Sequence, residues 1–264
     1  MDRPTAPFGQ LLRRWRSQRG LSQLALALQA EVSARHLSWL ETGKAAPSRA
    51  MVLRLAEQLA LPLRERNGLL GAAGYAPLYR ERPLADPALG PARDALQRLL
   101  TAHEPFPALA VDRHWNLLAH NRMLPLLVQT LPPALLAPPV NVLRLSLHPQ
   151  GLAPMIANLA AWRAHVLHRV HRQLTASGDP VLAELLAALR AMPGPEPEDD
   201  EAFDDVVVPL TLDTPLGRLA FITTITVFGA PHDVTLAEIA IETLLPADEA
   251  TAARLQQMKA SLDG

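Results

Sequence analysis

Two short helical patterns separated by a tight turn, at residues 22–29 and 33–42, constrain the fold of this chain more than any other feature of its sequence. Each pattern begins with a serine, Ser22 or Ser33, whose side-chain oxygen can cap the free backbone N–H groups of a first helical turn. Helices this short are marginal when isolated in water. We therefore expect them to pack against each other within an all-helical domain.

The spacing of apolar residues predicts which sides of these two helices are buried. Leu24, Ala25 and Leu28 are expected to face inward from the first helix, and Leu37 and Leu40 from the second. One further helical pattern precedes the pair and two follow it. The sequence therefore predicts an all-α N-terminal domain of five helices.

A helix pair of this kind suits DNA, because the second helix can read base edges in the major groove while the first crosses the backbone. Gln23 begins the first helix and is expected to contact a phosphate. Arg35 is the candidate for base readout, since a guanidinium can donate two hydrogen bonds to guanine O6 and N7. The alternative is that Arg35 is an ordinary solvated charge. The predicted DNA contacts are Gln23, Ser33, Ala34, Arg35, His36, Ser38, Trp39 and Lys44.

Two residues beside these candidates are also expected to serve the domain itself. Trp39 is expected to be a packing residue rather than a base contact, and a sugar or phosphate contact is the alternative. Glu41 is expected to hydrogen-bond within the domain, because phosphates would repel a carboxylate that faced them.

The distribution of charge supports a polyanionic partner for the N-terminal part alone. The formal net charge of the chain is −1. Residues 1–80 contain 12 Lys+Arg and 5 Asp+Glu, a net of +7, whereas residues 81–264 contain 13 and 21, a net of −8. Random variation in surface charge is the alternative explanation. Together with the helix pair, the asymmetry indicates that the N-terminal part meets nucleic acid.

A proline-rich stretch at residues 77–92 is expected to be a linker between a helix-turn-helix domain at 1–76 and a second domain at 93–264. The second domain begins with two short β-like runs at 108–112 and 115–119, around an Asp-Arg-His turn. Helical patterns then continue to about residue 191.

The rest of the second domain mixes both kinds of element. An acidic, proline-rich stretch at 193–205 is expected to be a mobile loop. A hairpin follows at 206–228, turning at 213–215, and helices are expected at 236–245 and from about 248. This order predicts an α+β, PAS-like domain with an antiparallel sheet of about five strands.

Polar residues inside apolar stretches of the second domain are candidates for a ligand site. We select Asn121, Arg144, His148 and Trp162, with Arg144 able to pair with a carboxylate. The alternative is that such residues only tie helices to strands. The region is rich in Leu, Ala and Val and poor in aromatic residues, which favours a mostly apolar cavity suited to an acyl chain. A solid core is the alternative.

The segment LSQLALALQAEVSARHLSWLETGKAAPS resembles the Cro/repressor, or XRE-type, helix-turn-helix family. Glu31 is a departure, because the family usually has glycine in the turn. A non-glycine residue with positive φ costs about 1 kcal/mol at that position.

A longer resemblance covers most of the chain. VSARHLSWLETGKAAPSRAMVLRLAEQLALPLRERNGLLGAAGYAP resembles the MmyB-like regulators, and so do three later blocks: HEPFPALAVDRHWNLLAHN, NVLRLSLHPQGLAPMIANLAAW and FGAPHDVTLAEIAIETLLPADEAT. This resemblance implies a PAS-like ligand-binding domain with a pocket for an apolar or fatty-acid-like small molecule.

Several other functions are not expected. The absence of cysteine excludes disulfides and thiolate metal sites and fits a cytoplasmic protein. His165, His168 and His171 drift around a helix rather than converge, so we expect no metal site. No catalytic grouping or membrane-length apolar run is present, and we expect neither an enzyme nor a membrane protein.

The sequence thus predicts a transcription regulator that binds double-stranded DNA and a small-molecule effector, as a homodimer, with no cofactor besides a possible bound fatty acid or similar apolar molecule. The alternative is a repressor whose second domain is a dimerisation or protein-interaction module without a ligand.

Overall fold

The computed structural model of the chain describes residues 7–195, 207–229 and 231–263. It divides into two compact units. The helical unit extends to Leu84 and also includes Gly229–Ala237, and the sheet unit comprises Ala85–Phe228 and Glu238–Gly264. The chain therefore passes between the units three times. The acidic stretch predicted as a loop lies, from residue 196 onward, outside the described residues.

Five helices form the N-terminal part of the helical unit, as predicted. They are α1 (Phe8–Gln18), α2 (Gln23–Gln29), α3 (Ala34–Glu41), α4 (Arg49–Gln58) and α5 (Leu63–Ala72). Ser22, Ser33 and Ser48 precede α2, α3 and α4, and each hydroxyl accepts a hydrogen bond from the backbone N–H three residues later. Each cap satisfies an N–H group that has no partner within its helix, and this fixes where the helix begins.

The helical unit has its own core, to which each of the helices α1 to α5 contributes at least one fully buried leucine. Its fully buried members include Leu12, Trp15, Leu37, Leu40 and Leu55. Gly9 allows α1 to approach α3 closely, because a Cβ at that position would collide with the backbone carbonyl of Glu41.

The predicted buried face of α2 is wrong. Leu24 and Leu28 are 60% and 71% exposed, whereas Leu26 and Ala27 are buried. Leucine and alanine alternate along this seven-residue helix, so apolar side chains point in almost every direction. Periodicity alone therefore defines no single face, and packing against α3 and α4 decides which side is buried.

The sheet unit contains five strands and further helices within the described residues. The strands are β1 (Ala108–Val111), β2 (Leu117–His120), β3 (Leu210–Thr214), β4 (Gly217–Val227) and β5 (Ala240–Pro246). The helices that follow α5 along the chain are α6 (Gly90–Ala102), α7 (Leu124–Val128), α8 (Val142–Leu147), α9 (Leu159–Ser177), α10 (Pro180–Arg190), α11 (Val234–Ala237) and α12 (Glu249–Asp263). All of them except α11, which is in the helical unit, belong to the sheet unit.

The strands form one antiparallel sheet in the order β2-β1-β5-β4-β3. The chain supplies two strands, then helices, then three strands, which confirms the predicted α+β, PAS-like architecture. β5 lies at the centre, where Glu242 is opposite Leu109 on one side and Ile225 on the other. Directly opposed residues point to the same face of a sheet, so these three side chains share a face.

Three predicted elements of the sheet unit differ from the structure. Residues 240–246 form the central strand β5 rather than a helix, because a strand buried on both faces lacks the alternation that normally identifies strands. Helix α9 begins at Leu159, not at residue 152, since Pro154 lies in a preceding 3₁₀ turn. The β3–β4 hairpin turns at residues 215–216, because Thr214 pairs with Gly217.

The predicted linker at residues 77–92 is only partly extended. Asp86 caps a 3₁₀ turn at Pro87–Leu89, and α6 begins at Gly90. Prolines at the first positions of a helix are tolerated, because their missing N–H groups would have no helical partner. Earlier in the stretch, the backbone N–H groups of Leu78 and Tyr79 donate to the side-chain oxygen of Asn67.

The segment Gly229–Ala237, between β4 and β5, is part of the helical unit. Its helix α11 packs against α5, and Val234 is fully buried. The Val234 N–H donates to the Arg80 carbonyl at 2.8 Å, and Arg82 Nη1 donates to Asp233 Oδ2 at 3.1 Å. None of the helices in the described part of the chain is both long and apolar enough to cross a membrane.

Candidate DNA-binding surface and candidate ligand cavity

The turn between α2 and α3 has the predicted backbone geometry. Glu31 has φ 54°, the left-handed conformation that favours glycine. Val32 N–H then donates to the Ala27 carbonyl at 2.9 Å, which closes the end of α2 before Ser33 caps α3. The turn forms without glycine, and the helix pair keeps its geometry at the cost of one strained residue.

Arg35 and Trp39 lie one turn apart on α3, and both are exposed. The Arg35 guanidinium carbon lies 4.6 Å from the centroid of the Trp39 ring, a cation–π contact. This stacking restricts the arginine while leaving its N–H donors at the ring edge available. Trp39 therefore packs against the candidate reading residue rather than into the core of the unit.

The other predicted DNA contacts lie along the same helix and just beyond it. Ser33 uses its hydroxyl to cap α3, accepting from His36 N–H at 3.1 Å. Ala34, His36 and Ser38 are half-buried, and Lys44 is exposed after the helix ends. The structure thus places all seven predicted residues from Ser33 to Lys44 in one continuous segment.

Gln23 lies at the start of α2 and is held by Glu41 at the end of α3. Gln23 Nε2 donates to Glu41 Oε2 at 2.7 Å, and Arg16 from α1 donates to both oxygens of the same carboxylate. Burial alone would raise the pKa of Glu41, but the hydrogen bonds from Arg16 and Gln23 outweigh it and lower the pKa. The expectation that Glu41 bonds within its own domain is confirmed, and the bond to Glu41 uses only one of the two N–H groups of the Gln23 amide.

A cavity of about 270 Å³ lies inside the sheet unit. All five strands contribute to its wall, together with residues of α7, α8 and α9 and of the segments that connect these helices. Most of the lining is aliphatic: Leu109, Leu117, Leu124, Pro125, Leu127, Val128, Leu136, Val140, Val142, Leu143, Leu145, Leu152, Leu210, Leu212 and Leu244. Such a wall offers dispersion contacts and no hydrogen bonds along most of its surface, which suits an apolar occupant.

The polar residues of the lining are His120, Ser146, Thr223 and one ion pair. Arg169 on α9 donates from both Nη1 and Nη2 to Oε1 of Glu242 on β5, each at 3.0 Å. The Arg169 guanidinium also lies 4.3 Å from the ring centroid of Trp115, whose Nε1 donates to Gln173 Oε1. Both charged side chains are mostly buried, and the pair links helix α9 to strand β5.

Trp162 also lines the cavity, two helical turns before Arg169 on α9. Its buried Nε1 has no hydrogen-bond partner among the described residues. The ring stacks on His165 at 5.5 Å between centroids. Burial, and then the positive charges of Arg169 and His168, lower the pKa of His165, which favours its neutral form.

Of the four predicted ligand residues, only Trp162 lies in the cavity wall. Asn121 is buried, and its side chain bonds to backbone groups of Leu100, Phe106 and Ala108. Arg144 is exposed on α8, and His148 follows that helix and accepts from the Gln150 N–H. These three lie outside the cavity lining, so the polar end of the cavity is formed by other residues.

Arg169 and Glu242 are the functional candidates that the sequence patterns did not reveal. Arg169 stands in a helix with other basic residues, and Glu242 lies in the segment predicted as a helix. The sequence did contain one sign of this pair, namely a glutamate within the apolar run of residues 240–246, because a buried carboxylate needs a partner. Within the described ranges, no group of His, Asp and Glu residues has the arrangement of a metal site.

Two solved structures show limited similarity to the chain. The restriction-modification controller protein C.AhdI from Aeromonas hydrophila is 36% identical over 22% of this chain and 89% of its own, with a TM-score of 0.22. An RNA-binding light-oxygen-voltage receptor is 14% identical, with a TM-score of 0.27; the match covers 96% of this chain and 63% of the receptor chain. Among curated proteins, none shows significant similarity.

Two protein families match consecutive parts of the chain. Residues 7–69 match a helix-turn-helix domain family, which covers α1 to α4 and most of α5. Residues 92–258, more than half of the chain, match the ligand binding domain of the MmyB-like transcription regulators, and this region contains the whole cavity wall. The chain therefore belongs to the MmyB-like transcription regulators, with a DNA-binding helix-turn-helix domain followed by a ligand-binding domain.

Proposed function

We propose that this regulator binds a small apolar molecule, with an alkyl chain of the fatty-acid kind, in the cavity of the sheet unit, and that occupancy changes its affinity for DNA. The observation that carries the proposal is the cavity itself, which is lined almost throughout by aliphatic side chains. Apolar surface removed from water in such a site contributes about 25 cal/mol per Å².

On the DNA side, α3 enters the major groove and Arg35 reads a guanine, while Gln23 and Lys44 contact phosphates. The support for this assignment is the exposure of Arg35 and Lys44 and the stacking of Arg35 on Trp39. Each chain carries one such helix, so a homodimer engages two half-sites about one helical turn apart.

The ligand regulates DNA binding only if it has different affinities for the DNA-binding and non-binding states. The chain offers three covalent routes for such a difference, because it passes between the units at residues 84–85, 228–229 and 237–238. Two of these routes lead directly from β4 and β5, which carry Thr223, Glu242 and Leu244 of the cavity wall.

The test begins with an operator obtained by selecting bound sequences from random DNA with the full-length protein. Lauric acid and 1-dodecanol are then titrated while the melting temperature and the operator affinity are recorded. We expect at least one of them to raise the melting temperature and to change operator affinity. A ligand that binds the folded protein and not the unfolded chain raises the melting temperature.

Thr223→Phe supplies the matched variant, because Thr223 faces the cavity and a phenyl ring would fill part of it. Thr224→Phe is the control, since Thr224 is its exposed neighbour on the opposite face of β4. The thermal shift should disappear in the first variant and persist in the second. No shift with either compound, together with a stable dimer, would instead favour a dimerisation or protein-interaction module without a ligand.

A further inference from the structure

The cavity wall already contains its own balanced pair of charges. Arg169 and Glu242 line the cavity together, and both hydrogen bonds from the guanidinium go to Oε1 of the carboxylate. Oε2 therefore keeps its capacity to accept a hydrogen bond from a ligand. The wall thus presents a carboxylate acceptor beside an arginine whose charge is already neutralised.

This pair is fixed in place from both sides. Glu242 lies in the central strand β5, between β1 and β4. Arg169 is stacked on Trp115, so turning it toward a ligand would break the cation–π contact as well as the ion pair. Leaving Glu242 buried without its partner is strongly unfavourable.

A ligand carboxylate at this point would face the Glu242 carboxylate within the same buried site. Two like charges at close range in a buried environment cannot both remain ionised without penalty, and one of them must take up a proton. An alcohol or a primary amide avoids this conflict, because its O–H or N–H can donate to Oε2 while the ion pair stays intact.

We propose that the cavity selects an uncharged apolar molecule with a hydrogen-bond donor at its polar end, such as a long-chain alcohol or primary amide, over the corresponding fatty acid. Glu242 is the residue that sets this preference, and Arg169 is the positioning residue that holds it. The inference rests on the proposed function, since it assumes that the cavity takes a ligand.

The experiment measures the binding of 1-decanol, decanamide and decanoic acid to the full-length protein by isothermal titration calorimetry at pH 7.5. We expect the alcohol and the amide to bind at least about tenfold more tightly than the acid, because like charges brought together at an interface are strongly disfavoured. The affinity of the acid should rise as the pH falls, because its binding requires the uptake of a proton. This dependence should persist in His120→Gln, which removes the histidine of the cavity wall.

Glu242→Gln removes the negative charge while keeping a carbonyl acceptor of similar size. In this variant the preference against decanoic acid should be lost, because the carboxylate that repels it is gone while Arg169 keeps its charge. The matched control is Glu184→Gln, an exposed glutamate on α10 that changes the net charge equally. If Glu242→Gln does not fold, the ranking of the three compounds and the pH dependence in the unaltered protein still decide the question.

The outcomes separate this inference from the function on which it rests. Tightest binding of decanoic acid to the unaltered protein, without a pH dependence, overturns the head-group preference and leaves the ligand-binding function intact. No binding of any of the three compounds overturns both.

Discussion

The guanidinium of Arg16 donates two hydrogen bonds to the carboxylate of Glu41, from Nε to Oε1 at 2.6 Å and from Nη2 to Oε2 at 3.0 Å. The pair joins α1 to the last residue of α3, and both side chains are mostly buried. It also holds Gln23 at the start of α2. One carboxylate therefore fixes the relative positions of three helices.

Glu41→Gln is expected to lower the free energy of unfolding by about 3 kcal/mol, because it leaves the Arg16 charge buried without its partner. Urea unfolding measures the loss. Glu57→Gln is the control, since Glu57 is an exposed glutamate on the neighbouring helix α4. A loss no larger than that of the control would show that the pair is not important for stability.

The same pair should make stability depend on pH. The folded state lowers the pKa of Glu41 below its ordinary value of 4.5. The ionised carboxylate therefore contributes its full stability above that value and loses it as the pH falls through the lowered pKa. Urea unfolding of the unaltered protein and of Glu41→Gln at a series of pH values below 4.5 tests this. The free energy of unfolding should fall less steeply with decreasing pH in Glu41→Gln than in the unaltered protein.

Arg35→Ala is expected to relax the base preference at one operator position, at a cost of about 1–3 kcal/mol. Arg35→Lys should not restore it, because an ammonium lacks the two parallel donors of a guanidinium. Selection from random DNA provides the readout, with Arg98→Ala, an exposed arginine on α6, as the control. An unchanged sequence preference would contradict the assignment of Arg35 to base readout.

Glu31→Gly should stabilise the helical unit by up to about 1 kcal/mol, because glycine adopts the left-handed conformation of this turn without steric cost. Glu57→Gly, in the last turn of α4, should destabilise it by up to about 1 kcal/mol, because glycine has a lower helix propensity than glutamate. Thermal unfolding of both variants tests the opposite signs. A loss at both positions would show that the turn carries no strain.

The full-length protein is expected to protect two half-sites about one helical turn apart, bound by two copies of the chain. Footprinting on the selected operator, combined with analytical ultracentrifugation of the complex, measures both quantities. Protection of a single asymmetric half-site by one copy would contradict the dimer.

Val234→Ala should destabilise the helical unit by about 2 kcal/mol, because it removes two methyl groups from a fully buried position on α11. Val227→Ala, 59% exposed near the end of β4, should change stability by less than about 0.5 kcal/mol. Urea unfolding compares the two. Equal effects would mean that α11 contributes little to the helical unit.

Short-range sequence signals were sufficient to predict where several helices of the helical unit begin. Ser22, Ser33 and Ser48 mark helix starts through bonds to residues three positions away, so the information lies within a few residues. The buried face of α2 was mispredicted because it depends on contacts with other helices and not on neighbouring residues in the sequence. Leu24 and Leu26 are chemically identical in sequence, and only contacts with other helices decide which one is buried.

The candidate ligand site depends on contacts that no local pattern contains. Arg169 and Glu242 are separated by 73 residues, and their pairing requires β5 to lie at the centre of the sheet. Because this strand is buried on both faces, its residues resemble a buried helix in sequence. Arg144 and His148 were chosen for their chemistry, but the short helix α8 carries them away from the cavity.

Because Gly229–Ala237 belongs to the helical unit, the helices α1–α5 cannot be exchanged between proteins as one continuous segment of sequence. A gene fusion with a single breakpoint in the proline-rich stretch would join the helices α1–α5 to a new partner domain without the segment Gly229–Ala237, which belongs to the same unit. The ion pair between Arg82 and Asp233, some 150 residues apart in sequence, shows how distant this missing segment is along the chain. The DNA-reading module is therefore not a self-contained cassette. Its specificity and its sensor are expected to be inherited together, and successful chimaeras should need to exchange the β4–β5 connection as well.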